Sequence, residues 1–429
     1  MTTPPDHRDL RFLGELGDEL ERAERDLEHR PSGVLWRVRA QRGLRGPLLA
    51  VVLVLAMATG VAAATGVIST TTPPPKPLAQ AIHDAMSGPQ VEGVSARIRF
   101  TNRLIDSSGV AQGSDPLLAG STGRLWATPG GDVRLELQSS GGGGDAQILL
   151  RGDQLSIYHA AANTVYRMTL PQHTDSQASS KEPWPPSLDG IRRALERLSA
   201  HASLSDATPT NIAGRPAYSL RLAPLQHGGL VGGAEIAWDA VNGAPLRAGI
   251  YAKGDSSPVL QLEATRISFG PVPASVFDLP IPAGAQVVDL QAKRPSAATG
   301  PSKPAQPVSG LPAVQAQLPF TVAAPDTLAG MARSEVRLIS GGGHAGALVT
   351  YGQGLDGIAV LQLPDTSGGA QTGGEQGGLS LPSVTIGSVR GQELTTALGT
   401  VVTFSRGGVR YTVMGSVIPA TVEAAARAL

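Results

Sequence analysis

The chain has eight histidines and no cysteine, and this sets the first limit on its chemistry. His7, His29, His83, His159, His173, His201, His227 and His344 are scattered. None sits at metal-ligand spacing from a second His, Asp or Glu on one regular element. HExxH, GxSxG, GxGxxG and Walker patterns do not occur. Gly141 to Asp145 has the glycines of a phosphate loop, but no Gly-Lys-Ser/Thr follows, so it reads as a turn. Without thiols there is no disulfide, lipid-modified cysteine or thiolate metal site. No metal and no cofactor is expected. A triad assembled in space remains open, and an envelope hydrolase is the minor functional reading.

The chemistry left is that of apolar surfaces. Pro47 to Ile68 is uncharged, and as a helix it would measure about 33 Å at ~1.5 Å per residue. A bilayer core is about 30 Å thick, so residues 46–69 are predicted to form one transmembrane helix. Arg30, Arg37, Arg39, Arg42 and Arg45 precede it, and the first charge after it is Lys76. Positive residues beside a span stay in the cytoplasm, which puts the head (1–45) inside and the body outside. A cleaved signal peptide is the rival reading, opposed by the long head. Inside the head, Leu13, Leu16, Leu20, Ala23 and Leu27 make one apolar helical stripe. It suits a helix lying on the membrane or docking a cytoplasmic regulator.

Lys+Arg and Asp+Glu both number 35, so no net field favours nucleic acid, and no basic stripe carries aromatics. The 53 glycines and 34 prolines suit short strands and turns. Period-two alternation dominates the body: Val94, Ala96, Ile98 and Phe100 oppose Arg97 and Arg99, and Val133, Leu135 and Leu137 oppose Arg134 and Glu136. Strands are predicted near 147–150, 155–159, 165–170, 217–222, 234–238, 245–252, 258–262 and 264–269. Helices are predicted after Leu78 and over 187–202. A sheet of about ten strands tends to curl, with helices on one face and water on the other.

The order of these pieces carries a resemblance. GRLWATPGGDVRLEL (123–137), LLRGDQLSIYHAAANTVYRMTLP (149–171), NIAGRPAYSLRLAP (211–224), Trp238-Asp239, APLRAGIY (244–251) and VFDLPIPAGAQVV (276–288) resemble LolA-type lipoprotein carriers and the related RseB/MucB sensors. The resemblance covers about half the chain. It implies an α+β fold in which a strongly curved antiparallel half-barrel is plugged by helices around an apolar cavity for acyl chains. Ile98, Phe100, Leu125, Leu135, Leu137, Ile157, Leu220 and Ile250 are the candidate lining residues. A filled core at the same positions is the alternative.

Residues 76–290 thus form the large extracytoplasmic domain. Residues 291–311, rich in Pro, Ser and Ala, read as a linker. A small α+β domain follows over 312–429, with a hairpin around Ser405 to Gly408 and a closing helix at 419–429. A large curved domain followed by a small sheet domain is the RseB-type layout. The expected function is a membrane-anchored extracytoplasmic binding protein holding a lipid or lipoprotein acyl chain. The alternative is an envelope-stress regulator acting on a membrane-bound anti-sigma partner.

Overall fold

The computed structural model describes residues 72–105, 116–118, 120–139, 144–170, 187–200, 202–225, 228–278, 282–289, 308–341, 344–365 and 381–429. The predicted span 46–69 and the head stripe Leu13, Leu16, Leu20 and Leu27 lie outside these residues. No helix among the described residues is long and apolar enough to cross a membrane.

Alternating sequence becomes strand throughout the body. A first meander runs β1 (Val94–Asn102), β2 (Ser121–Ala127), β3 (Val133–Gln138), β4 (Asp145–Arg151), β5 (Gln154–His159) and β6 (Thr164–Thr169). A second set holds β7 (Ala202–Leu204), β8 (Thr208–Ile212), β9 (Arg215–Pro224), β10 (Val231–Asp239), β11 (Pro245–Ala252) and β12 (Pro258–Phe269). β1 pairs with β12 and welds both sets into one sheet of 13 strands. Its order is β13-β6-β5-β4-β3-β2-β1-β12-β11-β10-β9-β7, with β8 added on β9. From β1 to β12 every pairing in the sheet is antiparallel. β13 (Gln286–Asp289) pairs parallel to β6, so the proline-punctuated tail returns to the far edge of the sheet.

Two helices accompany this sheet: α1 (Leu78–Met86) and α2 (Leu188–Ser199). Ser187 caps α2, its Oγ accepting from Gly190 N at 3.1 Å, and Asp189 lies in the first turn. The fold is mainly β, rather than evenly α+β, because almost every apolar run has period two.

The sequence reads two strands over 258–269, whereas the structure has one. Arg97 pairs with Arg266 and Ile98 with Ala264, leaving Thr265 as a bulge. The extra residue shifts the alternation by one. Leu260 and Leu262 before it, and Ile267 and Phe269 after it, still pack inward. In sequence, that phase change looks like a break.

The second sheet has eight strands: β14 (Thr327–Leu328), β15 (Met331–Gly341), β16 (His344–Tyr351), β17 (Ile358–Pro364), β18 (Ser383–Ile386), β19 (Val389–Thr396), β20 (Gly399–Arg406) and β21 (Val409–Gly415). Its order is β14-β15-β16-β17-β21-β20-β19-β18. The β20–β21 hairpin closes through Gly407 and Gly408, at φ 60° and 76°. Two successive positive φ values are what a tight primed turn demands, and only glycine adopts them without strain. Two further helices are α3 (Leu311–Gln315) and α4 (Pro419–Ala428). α4 packs Val422, Ala425 and Ala426 into the core of Val360, Val402 and Val413. Pairing with this sheet begins at Val308, whose carbonyl accepts from Leu338 N at 2.9 Å. Gln362 is fully buried, and its amide exchanges two hydrogen bonds with the Ala323 backbone at 2.7 and 2.8 Å.

Among the described residues, backbone hydrogen bonds join the sheets at two places. Ala397 N donates to Leu104 O at 2.8 Å, and Ala397 and Leu398 pack on the large core. At the other junction, Leu230 N donates to Ser416 O at 2.7 Å and Gly228 N to Asp356 Oδ2 at 3.0 Å.

Candidate ligand-binding face

Strand register decides which side chains share a face. One row crosses the large sheet as Leu220–Ile236–Ala248–Leu262–Phe100. A second runs Ile98–Gly123–Leu137–Ala146. A third runs Ala96–Leu125–Leu135–Ile148–Ile157, and Ile250 pairs with Leu260. All eight candidate residues therefore lie on one face. Ile98, Phe100, Leu135, Leu137 and Ile157 are buried in one cluster, with Leu125 and Ile250 half-buried against it. Leu220 belongs to a separate cluster with Leu78, Ala81, Tyr218 and Trp238. Its neighbours are helix α1 and the two aromatic rings, not the main apolar field.

α1 is held at that end by several contacts. Tyr218 Oη donates to Pro74 O at 2.6 Å, fixing the segment that leads into the helix. Tyr218 and Trp238 tilt against each other, 6.3 Å between centroids. The β10–β11 turn presses on the helix end: at Gly243, φ is +72° and a Cβ would stand 2.6 Å from Ala85 O. That turn is ordered by Asp239, which is fully buried. Its Oδ1 accepts from Val241 N at 2.8 Å and Asn242 N at 3.2 Å. Its Oδ2 meets Arg215 Nε at 2.5 Å. The Arg215 guanidinium also lies over the Phe269 ring, 4.9 Å from its centroid.

Two polar atoms on the same face are buried without a hydrogen-bond partner among the described residues: Trp238 Nε1 and Ser121 Oγ. Such groups each cost about 1–3 kcal/mol when left unpaired. Sequence reasoning singled out neither. Trp238 lay within a quoted motif, but its burial follows only from pairing with Tyr218 on β9.

The opposite face is polar. Its centre is Glu235, 6% exposed, which accepts from Arg221 Nε at 3.1 Å, Arg247 Nη2 at 2.5 Å and Tyr251 Oη at 2.9 Å. Burial pushes the Glu235 carboxyl up, but the Tyr251 hydroxyl and the Arg247 and Arg221 guanidinium groups outweigh it and hold it below the usual range. Burial, then the hydrogen bond to Glu235, raises the Tyr251 phenol. This network ties β9, β10 and β11 together by charge.

Of the described histidines, His159 Nδ1 accepts from Ala162 N at 3.3 Å in the β5–β6 turn. Among the described residues no group of three or more His, Asp or Glu could hold a metal ion.

No protein-family model matches the chain, and no curated protein sequence matches it. Solved structures do. MucB in complex with MucA(peri) matches over 81% of this chain and 94% of that one, at 16% identity and a TM-score of 0.36. The MucA/MucB complex of Pseudomonas aeruginosa matches over 81% and 94%, at 18% identity and 0.38. A LolA-superfamily protein from Nitrosomonas europaea matches over 48% of this chain and 98% of that one, at 13% identity and 0.20. The structural neighbours of this chain are thus MucB and LolA-superfamily proteins, the two groups its motifs resemble, at low identity.

Proposed function

We propose that the chain is a membrane-anchored extracytoplasmic binding protein, with residues 46–69 as a single span and the N-terminus in the cytoplasm. Its helix-covered sheet face takes the acyl chain of a lipid or lipoprotein. One observation carries the reading: an apolar face, half-open at Leu125 and Ile250, that also holds the buried, unpaired Trp238 Nε1 and Ser121 Oγ. An acyl ligand would cover the apolar part, and an ester or amide oxygen at its head would accept from the Ser121 hydroxyl, opposite Phe100. The function is binding rather than catalysis. The test is photo-crosslinking with a phospholipid carrying a diazirine on its acyl chain. Label is expected on peptides containing Leu125, Tyr166 and Ile250. Label confined to residues 47–68 would show a membrane span and no binding face.

A second reading, regulation through a protein partner such as a membrane-bound anti-sigma protein, is favoured by the junction of the two sheets. A crevice of about 500 Å³ there is lined by Gly228, Met331, Gln353, Asp356, Ile418 and Thr421. Ile418 is 54% exposed, and Leu355, beside Asp356, is 44% exposed. Large apolar side chains left open beside a crevice suit a protein partner. In this reading the Leu13–Leu27 stripe reports inward. A deletion of residues 1–30 that leaves the cellular phenotype unchanged would remove that part.

A further inference from the structure

The outward face of β12, β1 and β2 has an arrangement that stability does not explain. Arg266, Arg97 and Arg124 are direct register partners on three adjacent strands. All three are exposed, and so is Arg99, two residues along β1. Side chains directly opposite on neighbouring strands have Cβ atoms about 5 Å apart, and like charges there destabilise the sheet. Two carboxylates stand next to the row, Glu136 opposite Arg124 and Glu263 opposite Arg99. Both turn to other arginines: Glu136 to Arg134 at 2.8 Å, and Glu263 to Arg247 at 3.8 Å. None of the four exposed arginines makes an ion pair among the described residues. Trp126 lies on the same face, two residues from Arg124 and opposite Ser95.

We infer that this row is a docking surface for the anionic phospholipid headgroups of the membrane that carries the chain. The inference rests on the reading of residues 47–68 as a span. Three points select this occupant. Only nine residues separate Ile68 from Leu78, and at ~3.3 Å each they hold the body within about 30 Å of the bilayer. Tyr218 clamps that segment to the sheet at Pro74, which shortens the reach further. Phosphates repeat across a membrane surface, so an exposed row of guanidinium groups can pair with several at once. Trp126 adds an amphipathic ring of the kind that settles at headgroup depth. Docking would lay the polar side of the half-barrel on the membrane and turn its apolar side away.

The test uses the full chain in lipid nanodiscs. Because the chain has no cysteine, Thr122→Cys takes a single environment-sensitive dye amid the arginine row, and Thr385→Cys on β18 serves as control. A blue shift at position 122 is expected with phosphatidylglycerol discs and not with phosphatidylcholine discs. It should vanish in high salt and leave position 385 unmoved. At about fivefold per charge near a surface, R97Q/R124Q/R266Q should weaken docking about a hundredfold and abolish the shift. R97K/R124K/R266K, which keeps the charge, should retain it. An identical spectrum in both lipids overturns the proposal, as does a shift that needs a second copy or an added acidic protein. Resistance to alkaline carbonate extraction reports on the span separately, so loss of the span and loss of headgroup docking give different results.

Discussion

Asp239→Ala is the sharpest probe of how the candidate face is assembled. The carboxylate is fully buried and serves three donors: Arg215 Nε, Val241 N and Asn242 N. Removing one member of a buried pair leaves an uncompensated charge and costs about 3–5 kcal/mol. Arg215, its side chain only 10% exposed, cannot reach water without leaving the Phe269 ring. A loss of about 4 kcal/mol in a domain of this size lowers its melting temperature by about 8–16 °C. Asp239→Asn keeps the acceptor for both backbone N–H groups but not the charge. Charge-assisted bonds are about twice as strong as neutral ones, so it should lose about half as much. R215M/D239L removes both charges together and should lose less than the sum of its single variants. The assay is thermal unfolding, with hydrogen exchange of residues 78–86 followed in parallel. Exchange in α1 should rise first, because the Asp239 turn presses on its end. An Asp239→Ala loss below about 1 kcal/mol, or full additivity in the double variant, would refute the reasoning.

Gly243→Ala should cost about 2 kcal/mol or more, since φ +72° is strained for alanine and the new Cβ would strike Ala85 O. The melting curve and α1 exchange check it. Glu235 gives a pH prediction. Its carboxyl is held below the usual range when folded, so its stabilisation is complete above the ordinary carboxylate pKa of about 4.3 and is lost as pH falls through the lowered folded value. Glu235→Gln should lower stability at neutral pH and flatten that acid limb in a pH series of melting curves. Val54→Asp should impair membrane insertion by about 2.5–3.5 kcal/mol, read by fractionation of the variant between membrane and soluble pools.

Local periodicity made most of the strands legible. Alternation puts Ile98 with Phe100 on one side of its strand and Leu135 with Leu137 on one side of theirs; that these and Ile157 share a face is an expectation from the resemblance, and strand register places them together. The alternating body and the closing helix were legible for the same reason: each is a local pattern. What depends on pairing was not legible. The bulge at Thr265 looked like a gap, since one extra residue shifts the phase of the alternation. β13 could not be seen joining β6, because no local feature of Gln286–Asp289 names its distant partner. The arginine row exists only because three strands, far apart in sequence at 97, 124 and 266, meet side by side. The same holds for the buried Arg215–Asp239 pair and for the Trp238 indole, which has no hydrogen-bond partner among the described residues. Burial and charge proximity are properties of contacts between strands, and those contacts are set by the strand order of the sheet.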